Sequence, residues 1–297
     1  MVPVCGHLGV WAGLYTLAAF LCFSQLSGVP LGQPLPRWEA MLCVFLTATG
    51  VYSLDRVKLV SRWLDPADAL AQPERYQFLI PRSVSIRLIA VILLVAAAFA
   101  GHAFHPLAAA LVALAALGTV IYAPMPRRKT ARVKDRLWLK NLYVALGMTL
   151  FCALIAVLAQ PQATNRALSE FVLASWGVLA LPFAAVGSRI FFDAALCDID
   201  DEPTDRRFGT DTFATRLGGK SVWNWAGYGR LAIAVGLLFA RPLPATARLG
   251  WAVAMVLGMI ALRWRHPVRI RDTVDLRFLP EACFVALILW FNQSPMS

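Results

Sequence analysis

The sequence predicts an all-α polytopic membrane protein, nine transmembrane helices around a central cavity, in a single domain spanning 1–297. Three observations carry this expectation. Of the 297 residues, 59% are hydrophobic and only 15% charged, with a mean hydropathy of +0.63; a soluble domain is about a quarter charged. The apolar residues fall in runs of about 20, the length at which a helix crosses a bilayer. No run shows the alternation over roughly ten residues that a membrane strand needs.

The nine spans are read at about 8–28, 38–56, 84–102, 106–123, 141–160, 168–192, 222–240, 246–264 and 279–293. No Lys or Arg precedes the first, and no small-residue cleavage site follows it, so it reads as a span and not as a signal peptide. Most of the 28 basic residues fall in the loops after the second, fourth, sixth and eighth spans, Arg189 being counted with the third of these loops. The odd loops hold Arg37, Arg166, Arg241 and Arg248. The positive-inside rule then places the even loops and the N-terminus in the cytoplasm and the C-terminus on the far side. The net charge of +11 is thus a topology signal. Split over loops between spans, it argues against nucleic acid as a partner. It can also attract membrane lipid or an anionic substrate. The six cysteines have no CxxC or metal-type spacing, which predicts neither a disulfide framework nor a zinc site.

Outer loops are short and inner loops long, which puts function on the cytoplasmic face, where loops ride on a rigid scaffold. A coarse repeat accompanies this asymmetry. The second span runs into VYSLDRVKLVSRWLDPADA (51–69), and the sixth, four spans later, into LCDIDDEPTDRRFGTDTF (196–213). Two similar halves would bring two acidic sites together across the central cavity.

The second acidic stretch holds Asp198, Asp200, Asp201, Glu202, Asp205 and Asp211. If it continues the preceding helix, Asp198, Asp201 and Asp205 share one stripe at i, i+3, i+7. Carboxylates on one face repel unless a cation sits between them. Mg²⁺ fits such a place, because it takes hard oxygens and commonly combines one or two carboxylates with substrate phosphates. A solvated acidic cap balanced by Arg206 and Arg207 is the plainer alternative. Pro203 opposes helix geometry in Glu202, so the helix is expected to end or kink there and Asp205 to leave the stripe.

The run from Asp198 to Gly218 resembles the second signature of the UbiA-type intramembrane prenyltransferases, roughly D-x-x-D-x-x-G-D-x-x-x-G-x-x-T-L-P-x-x-x-G. Asp198, Asp201, Asp205, Gly209, Thr212 and Gly218 match; Thr204 replaces a glycine and Phe213-Ala214 replace Leu-Pro. The first signature, N-D-x-x-D-R-x-x-D, is similar to VYSLDRVKL (51–59) at Asp55 and Arg56. Val51, Tyr52 and Leu59 stand where the pattern has Asn, Asp and Asp. Asp65, Asp68 or Glu74 would have to fold back to compensate. The stretch 121–147 resembles the segment between the fourth and fifth spans, with Tyr122 and Lys140 at positions the family keeps as tyrosine and diphosphate-facing lysine.

The resemblance implies a Mg²⁺-dependent transfer of a prenyl group from a prenyl diphosphate to a hydrophobic, aromatic or lipid acceptor. Asp198, Asp201 and Asp205 would hold one Mg²⁺ and Asp55 would help hold another. Arg56, Lys140 and Arg207 would supply positive charge to the diphosphate. Phe191, Phe192, Trp138 and Tyr143 are candidates to face an allylic cation. The incomplete first signature keeps a second possibility open: a relative that no longer transfers prenyl groups and binds an isoprenoid lipid, quinone or pigment, or scaffolds a membrane complex. A CDP-alcohol phosphotransferase would need an Asp-Gly and a nearby Ala-Arg that are missing here. A transporter would carry Asp and Arg in mid-span, whereas these spans read as nearly free of charge.

Overall fold

The computed structural model describes residues 2–27, 36–59, 69–70, 72–122, 137–160, 168–240, 245–263 and 270–293. Among them the chain is all helix, with no strand. In order the helices are α1 (Val2–His7), α2 (Val10–Leu26), α3 (Trp38–Val57), α4 (Pro73–Leu79), α5 (Ser83–His102), α6 (Pro106–Tyr122) and α7 (Leu137–Leu158). Then follow α8 (Leu168–Cys197), α9 (Glu202–Phe208), α10 (Phe213–Leu217), α11 (Gly219–Phe239), α12 (Ala245–Arg263) and α13 (Ile270–Gln293). The long helices lie over the intervals read as spans. Within the described residues, 38–57, 83–102, 139–158 and 179–197 are long and apolar enough to cross a membrane, and 10–26, 106–119 and 245–260 are shorter apolar helices. In hydrocarbon a backbone must satisfy its own polar groups, which is why apolar runs of this kind fold as helices.

The long helices form a closed ring. α3 packs on α5, α5 on α6, α6 on α7, α7 on α8, α8 on α11, α11 on α12, α12 on α13, α13 on α2 and α2 on α3. α2 also reaches inward to α7 and α8. Small residues set the close approaches, as between membrane helices generally. A Cβ on Gly50 would lie 2.9 Å from Leu94 Cγ and 3.1 Å from the Ala90 carbonyl, so α3 and α5 can meet only without it. On the outside, Leu88, Ile92, Val95 and Phe99 of α5 and Trp290 and Phe291 of α13 are exposed, an apolar surface suited to lipid.

Three expectations are corrected. α13 begins at Ile270, well before 279, so Arg271, Asp275 and Arg277 are helical. Arg189 is no loop residue; it is buried within α8. The helices are also not free of charge: Arg189 and Asp193 of α8, Arg230 of α11 and Glu281 of α13 are all buried. They form one network. Asp193 accepts from Tyr15 Oη at 2.8 Å and from Arg189 Nε at 3.4 Å. Arg230 pairs with the other oxygen of Asp193, and Arg189 pairs with Glu281. The Arg189 guanidinium also lies 3.7 Å over the Phe278 ring. Intramembrane charge survives by pairing of this kind.

Candidate functional site

The acidic stretch does not continue α8. The helix ends at Cys197, a turn runs through 198–201, and Pro203 sits in the first turn of α9, where its missing N–H costs nothing. The i, i+3, i+7 stripe is therefore replaced by a helix–turn–helix that carries Asp198 and Asp201 on the turn and Asp205 on α9. The other signature residues build the rest of the bend. Gly209 ends α9 at φ 69° and Gly218 precedes α11 at φ 78°. Both angles lie where glycine alone is unstrained. Thr212 caps α10 by accepting from the Thr215 N–H at 3.3 Å, in a capping box with the Thr215 hydroxyl.

A cavity of about 630 Å³ opens beside this bend. Asp198, Asp201 and Asp205 line it together with Asp55 and Arg56 from α3, Lys140 from α7 and Arg271 and Asp275 from α13. The two acidic stretches therefore meet at one cavity, as the repeat suggested. Its wall includes Tyr15, Val51, Tyr52, Tyr143, Met148, Phe151 and Leu154. The polar end is densely paired. Lys140 Nζ lies 2.6 Å from Asp198 Oδ1. Arg271 Nη2 lies 2.5 Å from Asp201 Oδ2, and Gln72 Nε2 donates to Asp201 Oδ1 at 3.2 Å. The Arg271 backbone N–H donates to Asp200 Oδ2 at 3.0 Å. At the end of α3, Lys58 Nζ lies 2.5 Å from Asp55 Oδ1. Arg56 turns its guanidinium to the Gly6 carbonyl.

These pairings split the carboxylates electrostatically. Burial alone would raise Asp201, but Arg271 and then Lys140 outweigh it and hold the carboxyl below the usual range. Burial pushes Asp205 up to about 7; Lys140 opposes the rise, and the Asp198 and Asp201 carboxylates add to it. Asp198 Oδ2 and Asp205 Oδ2 are buried without a hydrogen-bond partner. Two orphaned carboxylate oxygens at one bend are a donor set that fits one Mg²⁺. Among the described residues no three His, Cys, Asp or Glu side chains are gathered closely enough to enclose an ion on their own. The remaining ligands would then be phosphate oxygens and water, as Mg²⁺ commonly takes. The Asp55 side fits an ion poorly: Val51 and Tyr52 supply no carboxylate, Lys58 is already paired with Asp55, and the other carboxylate, Asp275 of α13, shares the lining with Arg56 and Arg271.

Other expected participants are placed elsewhere. Arg207 is exposed and does not line the cavity. Glu74 is exposed as well, while Asp65 and Asp68 lie outside the described residues. For Tyr122 and Trp138 the helical backbone is described and the side chains are not. Phe191 and Phe192 pack edge-on against each other and, with Phe213 and Trp225, form a cluster away from the cavity lining. Tyr143 does line it. The Asp55–Lys58 pair is the helix-end pairing that the sequence already allowed for Asp55. Sequence reasoning missed Gln72 and Arg271 as neighbours of the acidic groups, and only the basic loop composition hinted at Arg271.

Fold and site define an all-helical integral membrane protein with carboxylates and basic groups at one end of an intramembrane cavity. The model of the UbiA prenyltransferase family matches residues 79–288, and the chain belongs to that family. The match begins after Asp55, so the first acidic stretch lies outside it. The chain is similar in structure to a UbiA homolog from Aeropyrum pernix K1, solved in its apo form, with a TM-score of 0.65 and 16% identity over 96% of this chain and 99% of that one. The comparison with curated proteins gives no significant match.

Proposed function

We propose that this protein is a Mg²⁺-dependent intramembrane prenyltransferase that moves a prenyl group from a polyprenyl diphosphate to an aromatic or lipid acceptor. The observation that carries this reading is the cavity itself, with Asp198, Asp201, Asp205, Lys140 and Arg271 at its polar end and an apolar, tyrosine-bearing wall beyond. A diphosphate with a hydrocarbon tail matches both halves. The long helices would cross the bilayer nine times, with the N-terminus and the polar end on the cytoplasmic side.

Asp198 and Asp205 would hold the ion through their open oxygens, while Asp201, whose two oxygens are taken by Arg271 and Gln72, would position Arg271 beside it. An ion held there would supply positive charge against the negative charge that develops on a departing diphosphate, an effect worth several kcal/mol. Lys140 and Arg271 stand against these carboxylates and place positive charge in the cavity that a diphosphate would enter. Both are already oriented by Asp198 and Asp201, which lowers the reorganisation needed on binding. The apolar wall keeps water from an allylic cation, and the ring faces of Tyr52, Tyr143 and Phe151 can stabilise it.

A second reading rests on the Asp55–Lys58 pair: with one carboxylate already neutralised, the chain would bind an isoprenoid lipid, quinone or pigment without transfer. Calorimetry of geranylgeranyl diphosphate with purified protein in detergent separates the two. Micromolar binding that requires Mg²⁺ and is lost in Asp201→Asn, with the variant still folded, supports transfer. Binding indifferent to Mg²⁺ supports the second reading.

A further inference from the structure

Resting on the prenyl diphosphate reading above, we infer that Lys58 is a built-in cation in place of a second metal ion, so that the site takes its diphosphate with one divalent ion. Asp55 is the carboxylate that 51–59 brings to the cavity. Val51 and Tyr52 line the wall beside it, and Leu59 is exposed and outside the lining. Asp275 of α13 lines the same cavity, but a carboxylate already paired with an ammonium is a poor site for a hard divalent ion, which prefers several oxygens. Its place is taken by the Lys58 ammonium, 2.5 Å from Asp55 Oδ1.

The backbone is bent to put it there. Lys58 has φ 52° and ψ 161° and, among the described residues, is the non-glycine residue with positive φ. Such conformations persist only where the surroundings impose them. Here Arg87 does so from α5: its Nε donates to the Lys58 carbonyl at 2.7 Å and its Nη2 to the Val57 carbonyl at 3.2 Å. A lysine just past a helix end normally snorkels to water. This one is turned back and is 8% exposed, with its side chain in the cavity lining. An ammonium carries three donors. One serves Asp55, and two are left for oxygens of a diphosphate that Lys140, Arg271 and an ion on Asp198 and Asp205 would hold in the same cavity.

The test counts ions and does not need turnover. Purified protein is mixed with Mn²⁺ and geranylgeranyl S-thiolodiphosphate, an analogue slow to ionise, and protein-bound Mn²⁺ is quantified by electron paramagnetic resonance. One Mn²⁺ per chain is expected. In Lys58→Met the analogue's affinity falls at least tenfold while the count stays at one; Lys58→Arg keeps most of the affinity. Two Mn²⁺ per chain in the unaltered protein, or full affinity in Lys58→Met, overturns the inference and leaves the prenyl diphosphate reading standing. No Mn²⁺-dependent uptake of the analogue overturns both.

Discussion

Lys140 Nζ lies 2.6 Å from Asp198 Oδ1, joining the first turn of α7 to the bend that follows α8. The Asp198 side chain is 2% exposed and the Lys140 side chain 25%. The pair thus faces the cavity from one side and the protein from the other. The second oxygen of Asp198 has no partner. The Lys140 ammonium occupies one oxygen of this buried carboxylate and leaves the other for a second cation.

Removing that lysine is therefore expected to do two things. Lys140→Met strands a buried carboxylate, a loss of the order of 3 kcal/mol, and lowers the melting temperature in detergent with EDTA. Added Mg²⁺ should restore much of the loss, because the ion then pairs with Asp198. A melting temperature that ignores Mg²⁺ in Lys140→Met would show that the bend does not take a divalent ion.

Asp205 gives a pH signature. Its carboxyl is pushed up to about 7 in the folded protein, against about 3.9 in an unfolded chain. Between those values the folded state holds the proton that the unfolded state has lost. Stability therefore falls as pH rises from about 4 through about 7 and levels off above it. In EDTA, melting temperatures from pH 5 to pH 8 should decline in the unaltered protein and decline less in Asp205→Asn. Equal slopes in the two would remove Asp205 as the cause.

The same residues show how far the sequence could be read. The helices were legible because a membrane leaves one backbone solution and a fixed length for it. Asp198, Asp201 and Asp205 were legible through their spacing with Gly209, Thr212 and Gly218. Arg271 and Gln72 were not, because their partners lie 70 and 129 residues away and pairing at that range is a tertiary property. The Arg189–Asp193–Arg230–Glu281 network was missed for a related reason. Arg189, Asp193 and Glu281 each look like the fringe of a span and Arg230 like an isolated charge within one, and only packing of α8, α11 and α13 makes them mutual partners. Phe191 and Phe192 erred in the opposite direction. Nearness in sequence to the acidic bend suggested the cavity, but their rings pack in T-shaped contacts with Phe213 and Trp225 instead.

Gly209 tests whether the bend itself is needed. At φ 69° an alanine is strained by roughly 1–2 kcal/mol, while nothing lies within 4 Å of the Cβ it would add. The cost of Gly209→Ala is thus conformational and not steric. It should weaken Mg²⁺-dependent diphosphate binding several-fold by shifting Asp205, with only a small drop in melting temperature. Gly147, also without a neighbour within 4 Å and with no positive φ, is the control: Gly147→Ala should leave the melting temperature unchanged or slightly raised. Equal effects of the two substitutions would refute a conformational role for Gly209.

The buried network makes the last prediction. Glu281 is paired with Arg189, and Arg189 also reaches Asp193 at 3.4 Å. Deleting one member of a buried pair leaves the other charge unsolvated, whereas replacing both by apolar groups removes the penalty along with the attraction. Glu281→Met alone should cost about 3–5 kcal/mol, and Arg189→Met alone a similar amount. The double variant should cost less than the sum of the two, and less than Glu281→Met by itself. Denaturation in mixed micelles, run as a double-mutant cycle, reads this directly. Additive losses would mean that the two charges act separately, and that α8 and α13 are held together by their apolar contacts alone.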